Sequence, residues 1–163
     1  MIPHTSAVPS RIRIWQQNTR KSLSNTDYIL NLANPKNYNL LLIQEPWIDC
    51  LGKSHSSHNW RIVYLSTHQL DNHNPIRSVI LINTNISTGM YTVLDIPSSD
   101  ITAIRLKGNF SHCTIFNIYN DFSNNNTIDT LQKYLKSNEH VALPLPSDHM
   151  LWCGDFNHHH PLW

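Results

Sequence analysis

The chain has 163 residues, a net charge of +1 and an apolar fraction of 40%, while only 14% of its residues are charged. These values are typical of one globular domain, or part of one, and they exclude a long-range positive field, so any contact with nucleic acid has to be local. Three widely spaced cysteines form no disulfide framework or zinc motif, and no apolar run approaches the roughly 20 residues of a membrane span, so we expect a soluble, intracellular protein.

The first third of the chain predicts a strand, a helix and a second strand. After a flexible lead-in over residues 1–10, residues 11–18 alternate polar and apolar side chains up to Trp15, as in a half-buried strand. The helix is indicated by a cap residue, an apolar stripe and a proline at its end. The cap is Ser24 or Thr26, the stripe is formed by Ile29, Leu32 and Ala33, and the proline is Pro35. The continuous apolar run 40–43 predicts a strand that is covered on both faces.

The remainder of the chain favours strands over helices. Five strand-like runs are separated by turn-rich segments and span residues 61–65, 79–83, 91–96, 101–107 and 113–119. Helical spacing predicts a helix over residues 127–137 with Asn126 or Thr127 as its cap, and a last strand covers residues 150–153. We therefore expect a single mixed α and β domain over residues 11–163.

Polar side chains follow three of these strands at the points where they end. Asn18 ends the first strand, Glu45 follows the second, and the last strand delivers Asp155 and Asn157. Because strands of one sheet bring their ends together, we expect these groups to meet at one edge, with Phe156 turned inward. Carboxylate and amide groups suit a divalent cation and a phosphate. The alternative is an Asx-type turn that caps the last strand, with an exposed carboxylate at the end of the second.

Four motifs in this order resemble the endonuclease/exonuclease/phosphatase superfamily, which includes deoxyribonuclease I and the apurinic/apyrimidinic endonucleases. They are Gln17-Asn18, Gln44-Glu45-Pro46, Asn117-Ile118-Tyr119 and Gly154-Asp155-Phe156-Asn157. The flanking stretches IWQQNTRKS, RSVILIN, SSDITAIRL and IFNIYND, with residues 150–163, are similar to the endonuclease domains of LINE-type (non-LTR) retrotransposons, particularly fungal ones. The resemblance covers residues 11–163. It implies a four-layer α/β sandwich of the deoxyribonuclease I-like type, with two mixed β-sheets flanked by helices.

The same resemblance implies metal-dependent hydrolysis of a DNA phosphodiester, as in the target-site nicking step of a retrotransposon. Glu45 would be the main carboxylate on Mg²⁺ or Mn²⁺, and Asn18 would support it through the hydrogen-bond network around the metal. The implied partners are the DNA phosphate backbone and, in the full-length family, a fused reverse transcriptase, with no membrane. The implied compartment is the nucleus.

The resemblance also assigns roles around the phosphate. Asp155 would activate or orient the attacking water, and Asn157 would hold the scissile phosphate. Tyr119 would contact the phosphate or stabilise its developing charge, and His158 would contact the phosphate or the DNA.

The family's catalytic histidine arrives in a late Ser-Asp-His motif, which this sequence lacks after Asp155. Its one Ser147-Asp148-His149 segment precedes Asp155, so we interpret it as coincidental. We therefore expect a C-terminally truncated domain without the last part of the fold, and little or no activity from this chain alone.

Two other interpretations remain open at the level of sequence. The chain could be a non-catalytic, transposon-derived remnant. It could also be a calcineurin-like metallophosphatase that uses Asp71, His73 and Asp155, which would give Glu45 no role. The run of histidines at 158–160 does not favour a transition-metal site, because adjacent side chains of an extended segment point to opposite faces.

Overall fold

The protein folds into strands grouped in the middle of the molecule with helices outside them. The computed structural model describes residues 11–65, 68, 75–109, 111–142 and 145–157. The strands are β1 Ile14–Asn18, β2 Leu40–Gln44, β3 Trp60–Val63, β4 Ser78–Asn83, β5 Tyr91–Val93, β6 Ile101–Lys107, β7 His112–Tyr119 and β8 His149–Asp155. The helices are α1 Leu23–Leu32, α2 Asn126–Ser137 and α3 Glu139–Ala142, with a short 3-10 helix at Thr88–Met90. Over the described ranges, no helix is long and apolar enough to cross a membrane.

The strands form two open, mixed sheets. The first sheet has the order β1-β2-β4-β3, and the second has the order β5-β6-β7-β8. In each sheet one pair is parallel, β1 with β2 and β7 with β8, and the other pairs are antiparallel. This confirms the two mixed sheets that the resemblance implied.

Alternation along the strands explains how the layers stack. In β2, Leu40 and Leu42 face the second sheet, where they join a buried cluster with Ile104 and Ile115. Their neighbours point the other way and pack with α1. On the outer side of the second sheet, a third cluster includes residues of α2 and α3. The order is therefore helix, sheet, sheet, helix. Every residue of β2 is buried, as the apolar run predicted.

The expectation that the polar strand ends share one sheet was wrong. Asn18 ends β1 of the first sheet, whereas Asp155 ends β8 of the second. The strand ends still meet, because the two sheets face each other and present the same end. Sequence periodicity identifies strands but does not say which sheet each one joins.

The helix termini differ in detail from the sequence predictions. α1 is capped by Ser22, whose hydroxyl accepts a hydrogen bond from the backbone N–H of Asn25 at 3.2 Å. Thr26 is instead buried and donates to the Ser22 carbonyl at 3.0 Å. Leu32, predicted to lie in the apolar stripe, is 49% exposed. α2 begins at Asn126 after the cap residue Asn125, which makes no side-chain capping bond.

Several strands also have bounds different from those predicted, most importantly β5 and β8. β5 stops at Val93, and β8 continues to Asp155, so this carboxylate lies on the last residue of its strand. β8 is the terminal strand in the order of the second sheet, and its Leu151 and Trp152 are 39% and 46% exposed. The short helix α3 was not predicted, because four residues are too few to show a helical period.

Candidate active site at the ends of the two sheets

Asn18 joins the two sheets at their common end. Its Nδ2 donates to Oε2 of Glu45 at 3.1 Å and to Oδ2 of Asp155 at 2.9 Å. Asn18 and Asp155 are 137 residues apart in the chain. The structure therefore brings together the three side chains that the sequence analysis assigned to one site.

The orientation of the Asn18 amide is set from both sides. Its Oδ1 accepts a hydrogen bond from the backbone N–H of Arg20 at 2.8 Å, so the donor end must face the two carboxylates. An amide N–H orients a carboxylate but does not ligate a metal. In this arrangement Asn18 supports the carboxylates, and Glu45 and Asp155 supply the anionic oxygens.

Glu45 is held in an unusual backbone conformation. Its φ is +46°, a value that costs a non-glycine residue about 1–2 kcal/mol. Three main-chain contacts compensate: the Glu45 carbonyl accepts from Thr19 Oγ1 at 2.8 Å and Lys21 N at 2.7 Å, and its N–H donates to the Arg77 carbonyl at 2.9 Å. The Lys21 ammonium lies 4.0 Å from Oε1 but is 61% exposed, so this ion pair adds little. Strain of this kind is typical of a functional site.

Gly154 lets β8 approach β7 closely just before Asp155. Its φ is +147°, and a Cβ atom there would lie 1.8 Å from the Ile118 carbonyl oxygen. No residue with a side chain fits this position without a shift of backbone. The glycine of the Gly-Asp-Phe-Asn motif is thus explained by strand packing.

The turn after β8 is fastened to the residue that follows β7. Asn120 donates from its N–H to the Asp155 carbonyl at 2.8 Å and from Nδ2 to the Phe156 carbonyl at 3.0 Å. Asn157 has a φ of +44°, and its Nδ2 donates to the Asn120 carbonyl at 2.7 Å. The N–H of Asn157 donates to Oδ1 of Asp155 at 3.2 Å. Phe156 packs against the cluster below α2, so the prediction that it turns inward is confirmed.

Tyr119 ends β7 directly beside Asp155, its partner in the parallel register. The residue is 9% exposed, and the Arg77 guanidinium lies over its ring at 5.1 Å. Burial and the negative charge of Glu45 raise the pKa of Tyr119, whereas Arg77 lowers it. The phenol therefore remains protonated at neutral pH and can act as a hydrogen-bond donor.

A buried polar network beneath the site was missed in the sequence analysis. Nε2 of Gln44 in the first sheet donates to Oδ1 of Asn117 in the second, and both residues are fully buried. Asn117 also donates to the carbonyls of Ile43 and Val79 at 3.0 and 2.8 Å. The available signal was one amide residue in each of two strands, within the motifs that carried the resemblance.

An ion cluster beside Tyr119 was missed as well. Arg77 makes a two-pronged contact with Asp100 at 2.6 and 2.8 Å and donates to Asp121 at 2.7 Å. Hydrogen bonds from Ser123 and the Arg77 contact lower the pKa of Asp121 to about 2. The only sequence signal was a single charged residue at the start of each of two strands.

The other candidate segments lie away from this end or outside the described residues. Asp148 immediately precedes β8, about 20 Å from the site by strand rise, and contacts Arg105 at 2.9 Å. His158 lies outside the described residues, as do Asp71 and His73. Within the described part of the chain, no group of three or more His, Cys, Asp or Glu residues could hold a metal.

Comparison with known proteins extends the fold assignment. No protein-family model and no curated protein sequence matches the chain. Among solved structures it is similar to the endonuclease domain of TRAS1, a telomere-specific non-LTR retrotransposon, with 15% identity, a TM-score of 0.63 and coverage of 94% of this chain. It is also similar to truncated TDP2 from Caenorhabditis elegans, with 10% identity, a TM-score of 0.58 and 91% coverage. The chain shares the fold of these neighbours, which is of the deoxyribonuclease I-like type.

A third deoxyribonuclease I-like neighbour is a D. rerio TDP2 complexed with a single-strand DNA product. It has 12% identity and a TM-score of 0.50, and the match covers 93% of this chain. The chain spans 62–63% of the length of these three neighbours. At identities this low, the structural similarity establishes the fold alone.

Proposed function

We propose that this chain hydrolyses phosphodiester bonds of DNA with Mg²⁺ or Mn²⁺ bound at Glu45, as the target-site nicking endonuclease of a retrotransposon. The observation that carries the proposal is the Asn18 amide, which holds the Glu45 and Asp155 carboxylates together at the common end of two sheets. The proposed setting is a nuclear protein that also carries a reverse transcriptase.

The donor set fits a hard divalent cation. Magnesium commonly binds one or two carboxylates and keeps several waters, and it does not need an all-protein cage. Two carboxylates share one amide here, and the Lys21 ammonium, 4.0 Å from Glu45, is largely exposed. The site therefore has unbalanced negative charge that a cation would neutralise. When bound, such an ion would polarise the phosphate and stabilise the leaving oxygen.

The proposed reaction assigns one task to each remaining side chain. Asp155 orients the attacking water and accepts its proton, and its position is fixed by hydrogen bonds from Asn18 and Asn157. Asn157 uses one amide N–H on Asn120 and has a second for a phosphate oxygen. Tyr119, kept protonated, donates a hydrogen bond to the charge that develops on the phosphate. His158 is proposed as a further DNA contact.

Fold neighbours support DNA as the substrate. One is described as a retrotransposon endonuclease domain, and another was solved with a single-strand DNA product.

Metal binding is tested by calorimetric titration of the full chain with Mn²⁺. We expect one site, and we expect Glu45→Gln to weaken binding by at least about 10-fold, because it removes a charged ligand. Glu139→Gln, on the exposed surface of α3, is the matched control and should bind as the parent does. Equal binding by Glu45→Gln and the parent would contradict the assignment of Glu45.

Activity is tested by nicking of supercoiled plasmid with Mg²⁺. Asp155→Asn should lower the nicking rate by about 10²–10⁴-fold, since it removes a general base while keeping the shape of the side chain. Glu139→Gln again serves as the control. A parent chain that binds Mn²⁺ but does not nick would favour the non-catalytic remnant.

A further inference from the structure

Arg77 touches both the metal-side and the phosphate-side parts of the site. Its carbonyl accepts the Glu45 N–H at 2.9 Å, and its guanidinium lies 5.1 Å from the centre of the Tyr119 ring. Neither the sequence motifs nor the proposed reaction gave Arg77 a task.

The Arg77 side chain is held by an extended set of partners. Nε and Nη2 donate to the two oxygens of Asp100, and Nη1 donates to Asp121. Asp100 is fixed in turn by the hydroxyls of Ser99 at 3.0 Å and Thr127 at 2.9 Å. These contacts connect the strands β4 and β6, the start of α2 and the loop after β7.

Charge excludes a direct phosphate-binding role for this arginine. All three guanidinium nitrogens donate to carboxylates, and one Arg with two Asp residues leaves the cluster with a net charge of −1. A phosphate would be repelled by such a cluster. The guanidinium also lies over the Tyr119 ring, which attracts its positive charge.

We propose that Arg77 is a positioning residue, which holds the Tyr119 ring in place so that its hydroxyl faces the Glu45 end of the site. Asp100 takes part through its backbone too, because its carbonyl accepts the Tyr119 N–H at 2.9 Å. The main chain of Tyr119 and its ring are thus both tied to the same ion pair. The catalytic effect of this positioning rests on the proposed function, whereas the positioning of the ring does not.

The test follows the Tyr119 ring signal by nuclear magnetic resonance of the full chain with isotope-labelled tyrosine, assigned with Tyr119→Phe. In Arg77→Met the signal should shift, because the guanidinium that lies over the ring is gone. Arg77→Lys keeps the charge but loses the planar fork that contacts both aspartates, so the signal should shift in this variant as well. If Arg77→Met does not fold, Arg77→Lys alone is compared with the parent chain.

Arg105→Met is the matched control. Arg105 pairs with Asp148 at 2.9 Å on the same sheet, but at the end remote from Tyr119, so its loss tests the general effect of breaking a buried ion pair. The Tyr119 signal should be unchanged in this variant.

In the plasmid assay, both Arg77 variants should lower kcat about 10- to 100-fold with little change in KM, the usual cost of misplacing a catalytic group.

The outcomes separate the two proposals. If the parent chain does not nick but the Tyr119 signal responds to Arg77 and not to Arg105, the proposed function fails and the positioning role stands. If the signal is unmoved in the Arg77 variants, or if an active parent and its Arg77 variants nick equally, the positioning role is overturned.

Discussion

At the scale of single residues, Asn18 determines whether two carboxylates share one site. Without its amide, the Glu45 and Asp155 side chains would face each other with like charge, and each would prefer to turn toward water. The amide satisfies one oxygen of each, so that both carboxylates remain in place before any cation binds. Preorganisation of this kind lowers the cost of binding.

Replacement of Asn18 should therefore weaken metal binding although Asn18 contributes no anionic oxygen. We expect Asn18→Ala to reduce Mn²⁺ affinity about 10- to 100-fold, the usual effect of losing a group that orients metal ligands. Calorimetric titration measures it, with Asn37→Ala, an exposed asparagine outside the site, as the control. Equal affinity in Asn18→Ala and the parent would show that the carboxylates do not depend on the amide.

At the scale of elements, the last strand is positioned by its one glycine. β8 runs parallel to β7 over seven paired residues, and the approach is closest where Gly154 faces Ile118. Because Asp155 is the next residue, the same close approach brings its carboxylate level with Tyr119. The geometry of the strand pair thus determines the geometry of the site.

Gly154→Ala should destabilise the fold by about 4 kcal/mol or more, because a methyl group would overlap backbone atoms at a φ that disfavours side chains. Urea unfolding measures the change. Gly89→Ala is the control, since the nearest atom to its added Cβ lies 3.9 Å away, and it should stay within about 1 kcal/mol of the parent. Similar stability of both variants would refute the packing argument.

At the scale of the whole molecule, the buried amide pair Gln44 and Asn117 fixes how the two sheets face each other. Apolar side chains alone would allow the sheets to slide, whereas hydrogen bonds between the sheets are satisfied at one offset only. Gln16 extends the network by donating to Gln44 at 2.6 Å. This offset places β1 and β8 so that Asn18 reaches Asp155.

Asn117→Leu should cost about 3 kcal/mol or more, because it leaves the Gln44 amide N–H without its acceptor in the core and removes two further hydrogen bonds, to the carbonyls of Ile43 and Val79. The double variant Gln44→Leu/Asn117→Leu should recover part of this loss, since replacing both partners removes an unpaired donor. Urea unfolding of Gln44→Leu, Asn117→Leu and the double variant tests the prediction. Strict additivity of the two single changes would show that the side chains are not coupled.

The local features of this protein could be predicted from its sequence. The strand over 101–107 and the buried strand over 40–43 were recognised because alternation and apolar runs are properties of neighbouring residues. The same reasoning identified Asn18, Glu45 and Asp155, since each lies at the end of a strand or directly after it. Four ordered motifs added the resemblance, and with it the two-sheet fold.

The contacts between distant segments were decided by the tertiary structure. Hydrogen bonds between Asn18 and Asp155, and between Gln44 and Asn117, join residues separated by 137 and 73 positions. The periodicity of neighbouring residues does not determine which distant group a polar side chain will contact. For the same reason, the contacts of Arg77 could not be predicted from the sequence. Chain periodicity dictates which backbone segments become strands, whereas the packing of two sheets dictates which of their polar groups become neighbours.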